Sequence, residues 1–247
     1  MVRLRIYLCS LLLVIPFYSG YALNLVIGTL SYNPPFEIQV NNPSKENEFY
    51  GFEIELMDEI CERIHAKCQY KPLLFEQILA EVNSGAINLG IGSINITPER
   101  SERFLFSLPY KSSYHQFLIP SNSNIKKIDD LKGKTIGIHL GSPTIDYLKV
   151  YFNNNIQFKY YETFMDLLNG LTDPQVSAIV TNSDQAQYWA SSTPDCKLLG
   201  DGFPFGIGFG VIARLDQAEL IEKINQALIE IENDGTYLKI YNLFFQP

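Results

Sequence analysis

Short apolar runs and amphipathic stretches alternate along this chain, and the alternation begins twice. In the first pass LVIGT, residues 25–29, reads as a buried strand, stopped by the turn chemistry of Ser31, Asn33, Pro34 and Pro35. A polar loop, NNPSKENE, leads to Gly51 and a helix with Ile54, Met57, Cys61 and Ile64 on one face. Residues 69–74 form a second strand. Residues 75–83 form a short helix with Ile78, Leu79 and Val82 inward and Gly85 as its C-cap. A third strand, residues 87–91, ends at GSIN. Strands separated by helices require crossover connections, which predicts an α/β fold built on a mixed, mostly parallel sheet.

The second pass starts after Pro109. Strands at 114–119 and 135–138 flank the polar turn IDDLKGK, and the loop HLGSPT leads into a helix from about Ile145. Residues 176–180 are another buried strand, after which TNSD opens a helix running through Trp189. Both blocks therefore place Gly/Ser-rich loops where strands end and helices begin. The tail adds a strand at 207–213 and a long helix with Ile221, Ile224, Leu228 and Ile231 on one face. An Asn-Asp-Gly stop and a last short helix follow. Pattern alone leaves open whether that tail covers the second block or returns to the first.

The N-terminus bounds the compartment. Arg3 and Arg5 precede an apolar run from Ile6 to Tyr18, and Gly20 and Ala22 occupy the −3 and −1 positions of a cleavage site. Residues 1–22 read as a secretory signal peptide, too short to span a bilayer. Cys9 lies inside the apolar run, which argues against a lipid-attached N-terminus. Without those residues the chain keeps 17 basic against 27 acidic residues, a net charge of −10. Such a surface argues against nucleic acid or an anionic membrane as partner. Cys61 and Cys68, seven apart in ICERIHAKC, favour a local disulfide in an oxidising compartment, and Cys196 is left as a free thiol. Zinc is disfavoured because His65 is the only other ligand type nearby.

Signatures of catalysis are thin. GKT at 133–135 imitates a phosphate loop, but Ile128 stands where its first glycine belongs; GIGFG at 206–210 runs into a strand. No metal or cofactor is implied. Anion chemistry is better represented. In GSINITPER, Thr97 suits an N-cap and Pro98 the first helical position, yet Arg100 places a cation at the positive end of the dipole. Gly92, Ser93, Asn95 and Arg100 together suit a carboxylate or phosphate. Ser142 and Thr144 in HLGSPT supply donors at a second helix start. The plainer alternative pairs Arg100 with Glu99 or Glu102 on the surface.

GTLSYNPPFE, GFEIELMDEIC, INITPERSERFLFSLPY, LKGKTIGIHLGS and NDGTYLKIYNLFF occur in this order. In that combination, across nearly all of the mature chain, the sequence resembles the periplasmic solute-binding proteins of polar amino-acid ABC importers. ICERIHAKC is similar to the disulfide segment of the arginine, lysine-arginine-ornithine and histidine subgroup. The resemblance implies a two-lobed fold: lobe 1 from residues 23–112 and 206–247, lobe 2 from 113–205, joined by crossovers near 110–116 and 203–208. The tail would return to lobe 1. It implies a cleft that closes on one amino acid, Arg100 holding the α-carboxylate with help from Asn95, and Gly92 and Ser93 on the α-ammonium side. Phe75 would stack on the ligand side chain, with Tyr32 or Asn33 as the opposite wall.

Three positions depart from that pattern. Leu30 stands where basic-ligand receptors carry an acid, Pro143 has no N–H to give a carboxylate, and Asn182 replaces the second-lobe acid that receives the α-ammonium. Asp184 is the nearest substitute for that acid. The expected function is capture of a polar amino acid, arginine or another polar or basic one, and its delivery to a membrane permease by a monomeric protein. An exported dehydratase on the same fold, acting on a cyclohexadienyl or arogenate substrate, is the alternative; a sensor domain ranks below both.

Overall fold

The computed structural model describes residues 23–42 and 45–245. The expected signal peptide, with Cys9, lies outside the described residues. Among the described residues no helix is long and apolar enough to cross a membrane.

The first pass of the chain gives β1 (Leu23–Thr29), β2 (Tyr32–Asn33), β3 (Glu37–Asn42), β4 (Lys45–Tyr50), α1 (Phe52–Arg63), β5 (Ala66–Pro72), α2 (Phe75–Ser84), β6 (Leu89–Gly90), α3 (Pro98–Ser101) and β7 (Leu105–Phe106). The second gives β8 (Tyr114–Pro120), β9 (Thr135–His139), α4 (Thr144–Tyr151), β10 (Gln157–Tyr161), α5 (Phe164–Asn169), β11 (Ala178–Asn182), α6 (Ser183–Ser192) and β12 (Cys196–Pro204). The tail supplies β13 (Ile212–Ala213), α7 (Ala218–Asn233) and α8 (Thr236–Phe245).

These strands form two five-stranded mixed sheets, ordered β5-β1-β6-β13-β7 and β10-β9-β11-β8-β12, plus a small sheet β2-β3-β4. In the first, β1 runs parallel to β5 and β6, while β13 is antiparallel to β6 and β7. In the second, β9 is parallel to β10 and β11, and β8 is antiparallel to β11 and β12. Each large sheet is covered on both faces because its strands are apolar on both. Phe117 and Ile119 of β8 join a core with Leu148 of α4, whereas Leu118 between them joins Phe164 and Ala186 on the other face. Cys196 sits in that second core as a small apolar side chain.

The tail returns to the first sheet. Ile221, Ile224, Leu228 and Ile231 of α7 pack with Ile54, Met57 and Ile60 of α1 and with Ile240 of α8. Cys61 and Cys68 are bridged, tying the end of α1 to β5. Two stretches cross between the sheets, from β7 to β8 and from β12 to β13, and they run side by side. Tyr110 N donates to Phe209 O at 3.0 Å, Phe209 N to Lys111 O at 2.8 Å, and Phe205 N to Ser113 O at 3.1 Å.

The structure corrects the expected polar loop NNPSKENE: its residues 41–42 end β3 and residues 45–48 begin β4, with Ile38 opposite Tyr50 and Val40 opposite Glu48. Its strand signal sits in the flanking residues Ile38, Val40 and Phe49 rather than in the polar run. The expected strand at 207–213 shortens to Ile212–Ala213, because the preceding residues form the second crossover. β10, α5 and β12 were not expected; exposed polar residues interrupt their few buried apolar ones, so no clear period emerges.

Candidate ligand-binding site

The loops at the carboxyl ends of the parallel strands face each other across the two sheets, the usual place for a site in an α/β fold. From the first sheet come Leu30 after β1, Gly92 and Ser93 after β6, and Arg100 in α3. From the second come His139 and Ser142 after β9, and Asn182 at the end of β11. Together they enclose a cavity of about 90 Å³.

Arg100 is set by its helix start. Thr97 is the N-cap, its Oγ1 accepting from Arg100 N at 3.3 Å, and Pro98 follows at the first helical position. That geometry turns the side chain inward, where it is only 8 % exposed. Nη1 donates to Asn95 O at 3.2 Å, and Nη2 donates across the cleft to Gly141 O at 3.3 Å. The guanidinium lies 5.0 Å from the Phe75 ring centroid, a cation–π contact. Among the described residues it forms no ion pair, although Glu76 and Glu99 act on it through space. Burial pulls its pKa down to about 10, so it stays charged at neutral pH.

Gly92 adopts φ +139° and Ser93 the left-handed φ of 46°, a kinked backbone that exposes the loop to the cavity. Ser93 N donates to Glu53 Oε1 at 2.7 Å, and Ser93 Oγ accepts from Asn33 Nδ2 at 3.1 Å. Behind this loop Glu37 and Glu53 are buried together, with Tyr110 OH donating to Glu53 Oε1 at 2.6 Å and Asn33 Nδ2 to Glu37 Oε1 at 2.8 Å. Desolvation raises both carboxyl groups, Glu37 well above the carboxylate range.

A second chain of contacts runs through His115. Ser113 Oγ donates to Asn95 Oδ1, Asn95 Nδ2 lies 3.4 Å from His115 Nε2, and His115 Nδ1 lies 2.5 Å from Thr144 Oγ1. Burial, and then the Arg100 charge, pull the His115 pKa down to about 3, so the ring is neutral. An Asn95 amide donating to Nε2 leaves Nδ1–H to donate to Thr144 Oγ1.

Of the residues read from sequence, Arg100, Asn95, Ser93, Gly92, Phe75, Ser142 and Asn182 line the cavity; so does Asn33, the second of the two wall candidates. Tyr32 lies instead on an adjoining cavity, 6.5 Å from the Trp189 ring. Thr144 is fully buried behind His115. Asp184 points elsewhere, its Oδ1 2.9 Å from Lys111 Nζ on the first crossover. Asn182 is largely committed within its own helix, Oδ1 accepting from Gln185 N at 2.9 Å and Nδ2 donating to Gln185 Oε1 at 2.8 Å. Pro143 lines the cavity without an N–H to offer. No group of three or more potential metal ligands occurs among the described residues.

Residues 25–247 match the family described as bacterial extracellular solute-binding proteins, family 3. The chain belongs to that family. This family 3 protein is 28 % identical to ABC transporter arginine-binding protein 1 of Escherichia coli strain K12, over 98 % of each chain. It is 39 % identical to the solved structure of an arginine third transport system periplasmic binding protein from Legionella pneumophila, with a TM-score of 0.85, covering 91 % of this chain and 100 % of that one. An ancestral arginine-binding protein bound to glutamine matches with 32 % identity and a TM-score of 0.82, covering 91 % of this chain and 98 % of that one. These relatives are binding proteins, and this chain is a binding protein rather than an enzyme.

Sequence reasoning missed His115, Gln185, Thr181 and Phe164, all on the cavity of this family 3 protein. Gln185 carried a readable signal, since Asn182-x-x-Gln185 has the spacing of an N-cap and its N3 partner. Gln185 Nε2 donates to Asn33 Oδ1, which links α6 across the cleft to β2 of the small sheet. His115 carried no such signal; in the largely buried strand β8 nothing in the sequence distinguishes it from a core residue.

Proposed function

We propose that this chain is exported through its signal peptide, captures a polar amino acid between two lobes, and delivers it to the permease of an ABC importer. The lobes are residues 23–112 with 206–247, and residues 113–205. Arginine or another polar or basic amino acid is the first candidate, a reading that draws on the arginine-binding relatives. The protein acts as a monomer, and its mechanism is binding and closure with no bond made.

The observation that carries this reading is Arg100: a nearly buried guanidinium with no carboxylate partner among the described residues, aimed into a cavity between the sheets. A buried cation is costly unless paired, and a ligand carboxylate supplies the partner with bidentate geometry. Asn95 positions the guanidinium through its carbonyl, and Ser93, Ser142 and Thr181 offer hydroxyls to the rest of the ligand head. The α-ammonium meets neutral acceptors here, because Asp184 is paired with Lys111.

A thermal-shift screen of the mature protein against the amino acids tests the proposal. A ligand at 100 times its Kd adds about 2.7 kcal/mol, which raises the Tm of a chain this size by about 5–10 °C. Arg100→Ala abolishes that rise for every ligand that gives one. An undiminished rise in the variant would sink the assignment.

A further inference from the structure

The cavity at Arg100 adjoins a larger one. A second space of about 410 Å³ shares Leu30, His139 and Phe164 with it, so these three side chains form the partition between them. The two spaces have opposite charge character. The first is lined by one guanidinium and, among the described residues, by no carboxylate. The second is lined, among the described residues, by one carboxylate, Glu162, and by no lysine or arginine. Beyond the partition its walls are mainly apolar, with Pro72, Leu73, Leu74 and Met165 beside the uncharged Ser31, Gln77 and Thr163. Burial holds His139, in the partition, below the ordinary imidazole range, so the ring is neutral at pH 7 and does not repel a cation passing it.

Glu162 is also well anchored. It follows the last residue of β10 and precedes Thr163, the N-cap of α5, whose Oγ1 accepts from Asp166 N at 3.1 Å. Strand and cap together fix its backbone beside the second cavity. Glu76 is the other acid in the neighbourhood, acting on both Arg100 and His139, but it lines neither cavity.

Resting on the reading that Arg100 holds the ligand carboxylate, we propose that the second cavity is the subsite for the distal end of the ligand, with Glu162 as its counter-charge. The favoured ligand class is an amino acid whose aliphatic stem ends in a cation. A stem passing Leu30 and Phe164 buries its methylenes against apolar walls while its charged tip reaches Glu162 near solvent, as long cationic side chains do on protein surfaces. Selection for charge at the tip then comes from a residue of the second sheet, while the carboxylate is held by the first, so both ends are engaged only when the two sheets approach.

Calorimetric titration with L-arginine and L-citrulline, its neutral isostere, tests this on the wild type, Glu162→Gln, Glu76→Gln and Arg100→Ala. Arginine binds the wild type about five- to tenfold more tightly than citrulline, the range for a partly exposed ion pair. Glu162→Gln removes that preference by weakening arginine alone, and Glu76→Gln keeps it. Equal affinities in the wild type, or a preference that survives Glu162→Gln, overturn the proposal, as does a preference lost in Glu76→Gln instead. Binding of L-glutamine that depends on Arg100, without binding of arginine, overturns it too while leaving the carboxylate reading intact. Loss of neither ligand in Arg100→Ala overturns that reading itself.

Discussion

Three side chains on or behind the cavity are held away from their ordinary ionisation, and they push stability in opposite directions with pH. Glu37 and Glu53 are buried together, and desolvation, then the Glu53 charge, raise the Glu37 carboxyl well above its usual 4.5. Above that pH the unfolded chain has released a proton that the folded chain retains, so stability declines as pH rises until the native carboxyl ionises. His115 behaves oppositely. Its pKa is held down to about 3 against an ordinary 6.5, so below pH 6.5 the unfolded chain gains a proton that the folded chain refuses, and stability declines as pH falls. Denaturant unfolding of wild type and Glu37→Gln between pH 4.5 and 8 checks the first limb. The variant gains on the wild type as pH rises, because an amide has no proton to lose; a difference independent of pH contradicts it. The acid limb, from pH 6.5 toward 3, is expected to persist in Glu37→Gln and to flatten in His115→Gln.

At the scale of elements, stability rests on how the tail closes over the first sheet. Ile224 of α7 is fully buried between α1 and α8. Ile224→Ala removes its contacts and leaves a cavity, at a cost of about 2–5 kcal/mol measured by denaturant midpoint. A cost below 1 kcal/mol would show that the α7 packing contributes little. This part of the fold was legible in the sequence because the 3.6-residue spacing of Ile221, Ile224, Leu228 and Ile231 survives intact, as do the apolar strands β1, β8 and β11. The hairpin β3–β4, strand β10 and strand β12 were not, since edge and surface strands carry polar residues on at least one face and offer no run to detect. The candidate site divides similarly. Arg100, Asn95, Ser93 and Gly92 sit in one contiguous segment whose cap chemistry gives it away. Asn33, His115 and Gln185 meet that segment only through space, and Thr144 and Asp184 are claimed by His115 and Lys111, partners that sequence spacing does not announce.

Across the complete fold, the segments around the two large sheets meet at the cleft through polar contacts and through the ring contacts of Tyr32 with Trp189 and Phe75 with His139. Arg100 donates to Gly141 O, Gln185 to Asn33, and Lys111 on the first crossover pairs with Asp184 of α6 while lying 4.5 Å from the Phe245 ring of α8. In the proposed function the paired crossovers are the axis for opening, and the polar cleft contacts exchange for those of the ligand. An external carboxylate completes Arg100 in the proposed function. Calorimetric titration of the mature protein with L-arginine and agmatine, and with L-histidine and histamine, compares each amino acid with the same molecule lacking its carboxylate. At least one of the two amino acids binds, and its amine binds at least about a hundredfold more weakly, as expected when a buried charge loses its partner. An amine that binds as tightly as its amino acid would contradict the account.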